Sequence, residues 1–143
     1  MTLQKKIDKY LNQFEIKKVE GEYKTLFKDN ASEKLKDSVR EAHGDKLPHN
    51  WTFNTYHSIL SNLSDYDIKT EEDLEGNKFE LIEGLVDVYT SDLTAWLHDH
   101  NSNVHYLKEA LENEPEDEFQ LLGMAQYIAI EEIYNEVVDL LTR

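Results

Sequence analysis

The amino-acid sequence predicts an all-α protein, a compact helical bundle of about five to six helices with a helical N-terminal arm. Apolar residues recur at three- to four-residue spacing through most of the 143-residue chain, and this is the period of an amphipathic helix. The chain also lacks an Asn-Gly or Asp-Gly pair between two alternating segments, which is the strongest short signal of a β-hairpin.

The N-terminal segment predicts one helix followed by a loop. Lysines separate five apolar residues at helical spacing: Leu3, Ile7, Tyr10, Leu11 and Phe14. This pattern is typical of an amphipathic helix. Residues 17–29 have only weak periodicity and contain Gly21, so we predict a loop or a frayed linking segment there.

A second helix is expected after the sequence Asn30-Ala-Ser-Glu33, which resembles a capping box. It should run to about Ala42, because Gly44 and Pro48 then act as stop signals.

In the middle of the chain, Thr52 or Asn54 is expected to cap a third helix, which Ser64–Asp67 ends. Its apolar face would contain Phe53, Tyr56, Leu60 and Leu63. Thr70 is the predicted start of a short helix with acidic residues in its first turn, where the helix dipole favours them. Gly76-Asn77 should end it.

Three further helices are predicted in the C-terminal half. Residues 79–98 keep the helical period for nearly twenty residues, and their apolar stripe includes Trp96 and ends at Leu97. Asn101 or Ser102 would cap the next helix, which carries Val104, Leu107 and Leu111. The last helix should bury Leu121, Met124, Ala125, Ile128, Ile133, Tyr134, Val137, Val138 and Leu141.

The composition limits which reactions the protein could catalyse and in which compartment it is expected. There are no cysteines, which excludes disulfides, thiolate catalysis and cysteine-based zinc sites, and fits a reducing cytosol. The N-terminus lacks the pattern of a signal peptide, and no apolar run approaches the roughly 18 residues of a membrane span. We therefore expect a cytoplasmic protein with no membrane partner.

Charge divides the chain into two regions. The 30 acidic and 15 basic residues give a net charge of −15. Residues 1–46, predicted as a more basic helical N-terminal region, carry +2, whereas residues 47–143, predicted as an acidic helical domain, carry −17. Such a domain repels nucleic acid and attracts basic protein surfaces. The alternative interpretation is solubility, or adaptation to high salt.

The segment LENEPEDEFQ concentrates acidic residues around Pro115. Proline is favourable at the first position of a helix, and Glu116, Asp117 and Glu118 then lie in the first turn, where the dipole stabilises them. Glu112 and Glu114 instead lie at the end of the preceding helix, where the dipole disfavours them. A basic partner is the simplest reason for keeping them.

A second acidic stretch lies at residues 65–75. Helical carboxylates three or four residues apart are about 5–6 Å from one another, which is comparable to the spacing of DNA phosphates. We therefore hypothesise a DNA-mimicking, partner-binding surface of eleven residues: Asp65, Asp67, Glu71, Glu72, Asp73, Glu75, Glu112, Glu114, Glu116, Asp117 and Glu118.

Catalytic and metal-binding patterns are weak. His98, His100 and His105 lie close in sequence but lack the i, i+4 spacing of helical metal ligands. His57 is expected to be a boundary residue beside an apolar face. No phosphate-binding loop or nucleophile motif is present. We predict no metal, no cofactor and no enzymatic activity, and a histidine-based, metal-dependent hydrolase is the least favoured alternative.

Four stretches, VREAHGDKLPHNW, DVYTSDLTAWL, HYLKEALE and LLGMAQYIAIEEIY, together resemble a family of small uncharacterised acidic proteins carried on bacterial plasmids and phages. The resemblance covers about residues 39–140. It implies no site residue, but it implies a setting in which anti-CRISPR and anti-restriction proteins occur.

The predicted function is inhibition of a basic host protein, such as a CRISPR effector or another DNA-binding enzyme, without direct DNA binding by the acidic domain. The alternative is a helical accessory protein of a mobile element that binds one protein through an apolar patch. The oligomeric state is left open.

Overall fold

The computed structural model describes residues 2–43, 50–87, 113 and 118–143, and there it combines helices with a β-hairpin. These ranges contain six helices and two strands. The prediction of an all-α bundle is therefore wrong, and the fold is mixed α and β. In chain order the elements are α1 (Leu3–Leu11), β1 (Phe14–Val19), β2 (Glu22–Phe27), α2 (Glu33–His43), α3 (Asn50–Asp65), α4 (Glu71–Gly76), α5 (Lys78–Leu85) and α6 (Glu118–Thr142).

The chain divides into two compact units. The first unit comprises Met1–Lys78 together with Ile133–Arg143, and the second unit comprises Phe79–Glu132. The last helix contributes to both, because α6 spans the boundary at residues 132 and 133. This division reflects which residues contact one another in space. The boundary near residue 46, predicted from composition, stays a prediction.

Helix α1 is the amphipathic helix that the N-terminal pattern predicts, although it is shorter. The Thr2 side chain accepts a hydrogen bond from the Lys5 N–H at 3.2 Å and so caps the helix start. Ile7 and Tyr10 are its buried residues. The helix ends before Asn12, so Phe14, expected on the helical face, begins β1 instead.

Strands β1 and β2 form an antiparallel hairpin in the region where a loop was predicted. Two residues connect the strands, and both have positive φ, 52° at Glu20 and 86° at Gly21. Positive φ at both central residues is the requirement of a type I′ turn, which matches the twist of the strands. The loop prediction for residues 17–29 is wrong because glutamate occupies the position where asparagine or aspartate usually marks this turn.

Aromatic side chains hold the hairpin against α3. The Phe14 ring centroid lies 5.3 Å from that of Phe27 and 6.2 Å from that of Tyr56, and Phe27 meets Phe53 edge-on at 4.9 Å. The buried Thr25 hydroxyl donates to Asn54 Oδ1 at 3.3 Å. The hairpin is therefore part of the core of the first unit.

Helix α2 begins at Glu33, and its cap, Ser32, lies two residues after the expected cap, Asn30. Ser32, rather than Asn30, accepts from the Leu35 N–H through its hydroxyl at 3.4 Å. The Ser32 N–H and hydroxyl both donate to Gln13 Oε1, at 2.8 and 2.9 Å. The capping box predicted at Asn30 is wrong because this distant glutamine fixes Ser32 at the helix start. The helix ends at His43, and Gly44 and Pro48 lie outside the described residues.

Helices α3 and α4 follow the sequence pattern closely. Helix α3 begins at Asn50, earlier than the predicted caps, and ends at Asp65 as predicted. Thr70 caps α4 in a reciprocal capping box with Asp73, and Asn77 ends that helix, which confirms both predicted boundaries. The buried apolar residues of α3 are Phe53, Tyr56, Ile59, Leu60 and Leu63.

Helix α5 ends at Leu85, so the single helix predicted over residues 79–98 is wrong. In a continuing helix, the Asp87 N–H would donate to the carbonyl of Glu83. It donates instead to Gln126 Oε1, and Gln126 Nε2 donates back to the Asp87 carbonyl, both at 2.7 Å. The later part of the predicted helix, with Trp96, and the helix expected at residues 104–111 lie outside the described residues.

Helix α6 carries the predicted apolar face with several changes. Its core-facing residues include Ile133, Tyr134 and Val137. Three residues predicted to be buried are not: Met124 is 43% exposed, and Ile128 and Val138 are half-buried. The Lys6 ammonium donates to the Leu141 carbonyl at 3.2 Å, and cations are favourable at this end of a helix. No helix in the described part of the chain is long and apolar enough to cross a membrane.

Candidate functional site

The first six predicted partner-binding residues lie between the end of α3 and the end of α4. We call Asp65, Asp67, Glu71, Glu72, Asp73 and Glu75 the 65–75 acidic segment. Five of the six are exposed, and Asp73 is half-buried. Lys69 is the one basic residue between positions 65 and 75. Its Nζ atom lies 3.4 Å from Asp67 Oδ2. An exposed ion pair of this kind contributes at most about 1 kcal/mol. One lysine offsets only one of the six carboxylate charges, so the segment remains strongly acidic.

Asp73 has a structural role within this segment. Its Oδ2 atom accepts from the N–H groups of Lys69 and Thr70, at 2.9 and 3.1 Å. Its own N–H donates to Thr70 Oγ1 at 3.3 Å. The backbone hydrogen bonds from Lys69 and Thr70 hold the pKa of Asp73 below its usual value because they stabilise the charged carboxylate. The remaining five carboxylates are the better candidates for contact with a partner.

Helix α1 holds the start of the 65–75 acidic segment in place. The Gln4 side chain donates to the Ser64 carbonyl at 3.0 Å and accepts from the Ile68 N–H at 3.1 Å. Asp8 accepts from the Ser64 hydroxyl at 2.7 Å. Ile68 is also almost fully buried. The backbone that carries Asp65 and Asp67 is therefore fixed by contacts distant in sequence.

Helix α6 holds the end of the segment. The Tyr134 hydroxyl donates to the carbonyl of Leu74, and both side chains are buried. Burial raises the pKa of Tyr134 to about 12, with smaller contributions from Glu75 and Tyr66. Short helix α4 is thus anchored through Leu74, with Glu71, Glu72 and Glu75 exposed.

The second group of predicted partner-binding residues is only partly described. Glu118 is the first residue of α6. Glu112, Glu114, Glu116 and Asp117, together with Pro115, lie outside the described residues. Their participation in a surface with the 65–75 acidic segment stays a prediction.

The described histidines do not form a metal site. His98, His100 and His105 lie outside the described residues, and His43 is the last residue of α2. His57 is half-buried, with its ring centroid 6.0 Å from that of Phe14, and burial lowers its pKa. Within the described ranges, no three side chains form a group that could hold a metal ion.

A groove in the second unit is a surface that the sequence pattern did not reveal. It has a volume of about 550 Å³ and lies between α5 with Val86 and the part of α6 from Gln120 to Ile128. Two of its lining side chains are exposed apolar residues, Phe79 at 63% and Met124 at 43%. Helical periodicity assigned Met124 to the core, and no local signal shows that this turn of α6 faces a groove.

Comparison with known proteins identifies no relative of this chain. No family model, curated protein sequence or solved structure matches the chain.

Proposed function

We propose that the protein is a non-enzymatic inhibitor of a basic, nucleic-acid-binding host protein, with a CRISPR effector or a restriction enzyme as the leading partners. It would act in the cytoplasm, in the setting of a plasmid or phage. The observation that carries the proposal is the 65–75 acidic segment. It presents five exposed carboxylates and one exposed lysine on a backbone that α1 and α6 hold in place.

This support matters for binding because a pre-formed surface loses little conformational entropy when a partner docks. Exposed carboxylates attract a basic cleft over a distance and speed its encounter with the protein. Glu71 and Glu75 are four residues apart on α4, so they are neighbours at about 5–6 Å on the helix surface. A basic cleft that binds successive phosphates can accept carboxylates at this spacing.

The position of Glu75 is the strongest detail within the segment. Glu71 and Glu72 lie in the first turn of α4, where the helix dipole stabilises acids and local stability explains their presence. Glu75 lies next to the last residue of the helix, where the dipole disfavours it. Its negative charge therefore favours an external role.

Competition with DNA tests the proposal. A purified CRISPR effector and a restriction enzyme are each bound to fluorescent target DNA, and the protein is added at increasing concentration. We expect displacement of the DNA that is reversed by excess DNA and weakened as salt rises, because charged contacts are screened. Inhibition of cleavage without displacement of DNA would contradict a DNA-mimicking mode.

A further inference from the structure

The groove of the second unit has apolar walls and an acidic side. Its apolar lining consists of Phe79, Val86, Met124, Tyr127 and Ile128, and Glu83 lines it as the charged residue. The Phe79 and Tyr127 rings lie 6.0 Å apart. Aromatic and methionine side chains together give a surface that adapts to different apolar partners. The large exposed fractions of Phe79 and Met124 show that this surface is open.

The dimensions of the groove fit a helix. From Gln120 to Ile128, α6 advances about 12 Å at about 1.5 Å per residue, which is slightly more than two helical turns. A docked helix places apolar residues at positions i, i+3 or i+4, and i+7 along such a distance. A groove lined along two helices can therefore hold two or three of these residues.

The charge of the second unit indicates that the docked helix is basic. Residues 79–132, which form the second unit, contain thirteen acidic residues and a single lysine, a net charge of −12. Glu83 lines the groove, and Glu80, one turn earlier on α5, is exposed. A field of this sign attracts lysine- and arginine-rich segments and repels acidic ones.

We propose that this groove is a docking site for a basic amphipathic helix of a partner protein. Apolar residues of that helix would contact Phe79, Met124 and Tyr127, and a lysine or arginine beside them would pair with Glu83. The inference does not depend on the inhibitor function, because the groove shares no residue with the 65–75 acidic segment.

Two other occupants are less consistent with these observations. A second copy of the chain would bring another unit of −12 against the first, and like charges oppose association. A binding pocket usually encloses about 70–90% of the surface of a small molecule. This groove is too open for that, because its Phe79 and Met124 side chains are 63% and 43% exposed. Both alternatives give distinct results in the experiment below.

The test uses a fluorescent peptide of about 18 residues with leucines on one helical face and lysines elsewhere. A scrambled peptide of the same composition lacks the continuous face, and a third peptide has glutamate in place of lysine. Anisotropy of each peptide is measured with the 143-residue chain, and the sedimentation of that chain alone is measured, both at about 50 mM and about 500 mM salt. We expect micromolar binding of the leucine–lysine peptide and a monomeric chain.

Substitutions identify the groove. Phe79→Ser and Met124→Ser should each weaken peptide binding about tenfold or more, the size expected for a central apolar contact. Glu83→Gln, which alters an exposed side chain without changing its size, should weaken binding most at low salt. Tyr23→Ser is the matched control, because Tyr23 is 73% exposed on the hairpin of the first unit, and it should bind as wild type does.

Several results would overturn the proposal. Equal binding of the scrambled peptide would show attraction by charge alone, and equal binding of the glutamate peptide would show that basic charge is irrelevant. Unchanged affinity in Phe79→Ser, Met124→Ser and Glu83→Gln would place the peptide elsewhere. A dimer that Phe79→Ser dissociates would identify a second copy as the occupant, and absence of binding would leave the groove without this role.

Discussion

Tyr134 shows at the scale of one residue how the core supports the 65–75 acidic segment. Its side chain is 1% exposed, and its hydroxyl donates to the Leu74 carbonyl in α4. Burial raises the pKa of this hydroxyl from 10.0 to about 12 because the charged phenolate is disfavoured away from water. The folded chain therefore holds this proton at a pH at which the unfolded chain releases it.

We predict that Tyr134→Phe lowers the free energy of unfolding by about 1–3 kcal/mol at neutral pH, because the buried Leu74 carbonyl loses its donor. The contribution of Tyr134 is complete below pH 10 and decreases as pH rises towards about 12. The difference between wild type and Tyr134→Phe should therefore shrink over that range. Urea denaturation at several pH values measures it, and a difference that grows with pH would contradict the assignment.

The turn between β1 and β2 depends on the backbone freedom of a glycine. Gly21 has φ of +86°, and no atom beyond Gly21 and its two chain neighbours lies within 4 Å of the position a β-carbon would occupy. Gly21→Ala should therefore destabilise the protein by about 1–2 kcal/mol through backbone conformation alone. Glu20→Asn should stabilise it, because asparagine tolerates positive φ better.

Gly84→Ala in α5 is the matched control for the turn. This position is equally open, but it has ordinary helical φ, so alanine should stabilise the helix by about 0.5–1 kcal/mol. Thermal denaturation of the three variants compares them. Equal changes in stability for Gly21→Ala and Gly84→Ala would show that positive φ at the turn does not make alanine unfavourable there.

The chain just after α5 is held by a buried glutamine of α6. Gln126 is 2% exposed and makes two hydrogen bonds to the backbone of Asp87. Gln126→Leu should destabilise the protein by about 1–3 kcal/mol, because these polar groups lose their partner. Gln120→Leu, at an exposed position of the same helix, should change the stability by less than about 0.5 kcal/mol. Guanidinium denaturation compares both variants with wild type.

These elements also show what the sequence could predict. Thr70 and Asp73 form a local capping box, so four consecutive residues contain the information and the start of α4 was predicted correctly. The end of α5 depends on Gln126, which is 39 residues from Asp87, and the periodicity of a single helix cannot include such a contact. The hairpin was missed because Glu20 replaces the usual turn residue. Exposed acids at 65–75 were visible in the sequence, but the structural role of Asp73 and the exposure of Met124 required the fold.

At the scale of the whole molecule, charge is distributed unevenly between the two units. The second unit carries −12 of the total of −15, and the first unit carries the remaining −3. Self-repulsion of such a surface opposes the folded state, and salt screens it. We predict that the melting temperature rises between about 50 mM and about 500 mM salt. A fall over this range would mean that favourable ion pairs outweigh the repulsion.

Inhibition of the DNA-binding partner by a charge-reversed chain decides whether the 65–75 acidic segment binds that partner. Glu71→Lys, Glu72→Lys and Glu75→Lys are combined in one variant. A matched variant combines Glu22→Lys, Asp29→Lys and Glu33→Lys, three exposed acids outside the 65–75 acidic segment. Both variants have the same net charge, and their melting temperatures verify that they fold.

We expect the first variant to inhibit at least about tenfold less at physiological salt, because its lysines would face a basic surface. The matched variant should remain close to wild type. If the two variants lose inhibition equally, only total charge matters. If the first variant inhibits as wild type does, the 65–75 acidic segment is a solvated surface and does not bind the partner.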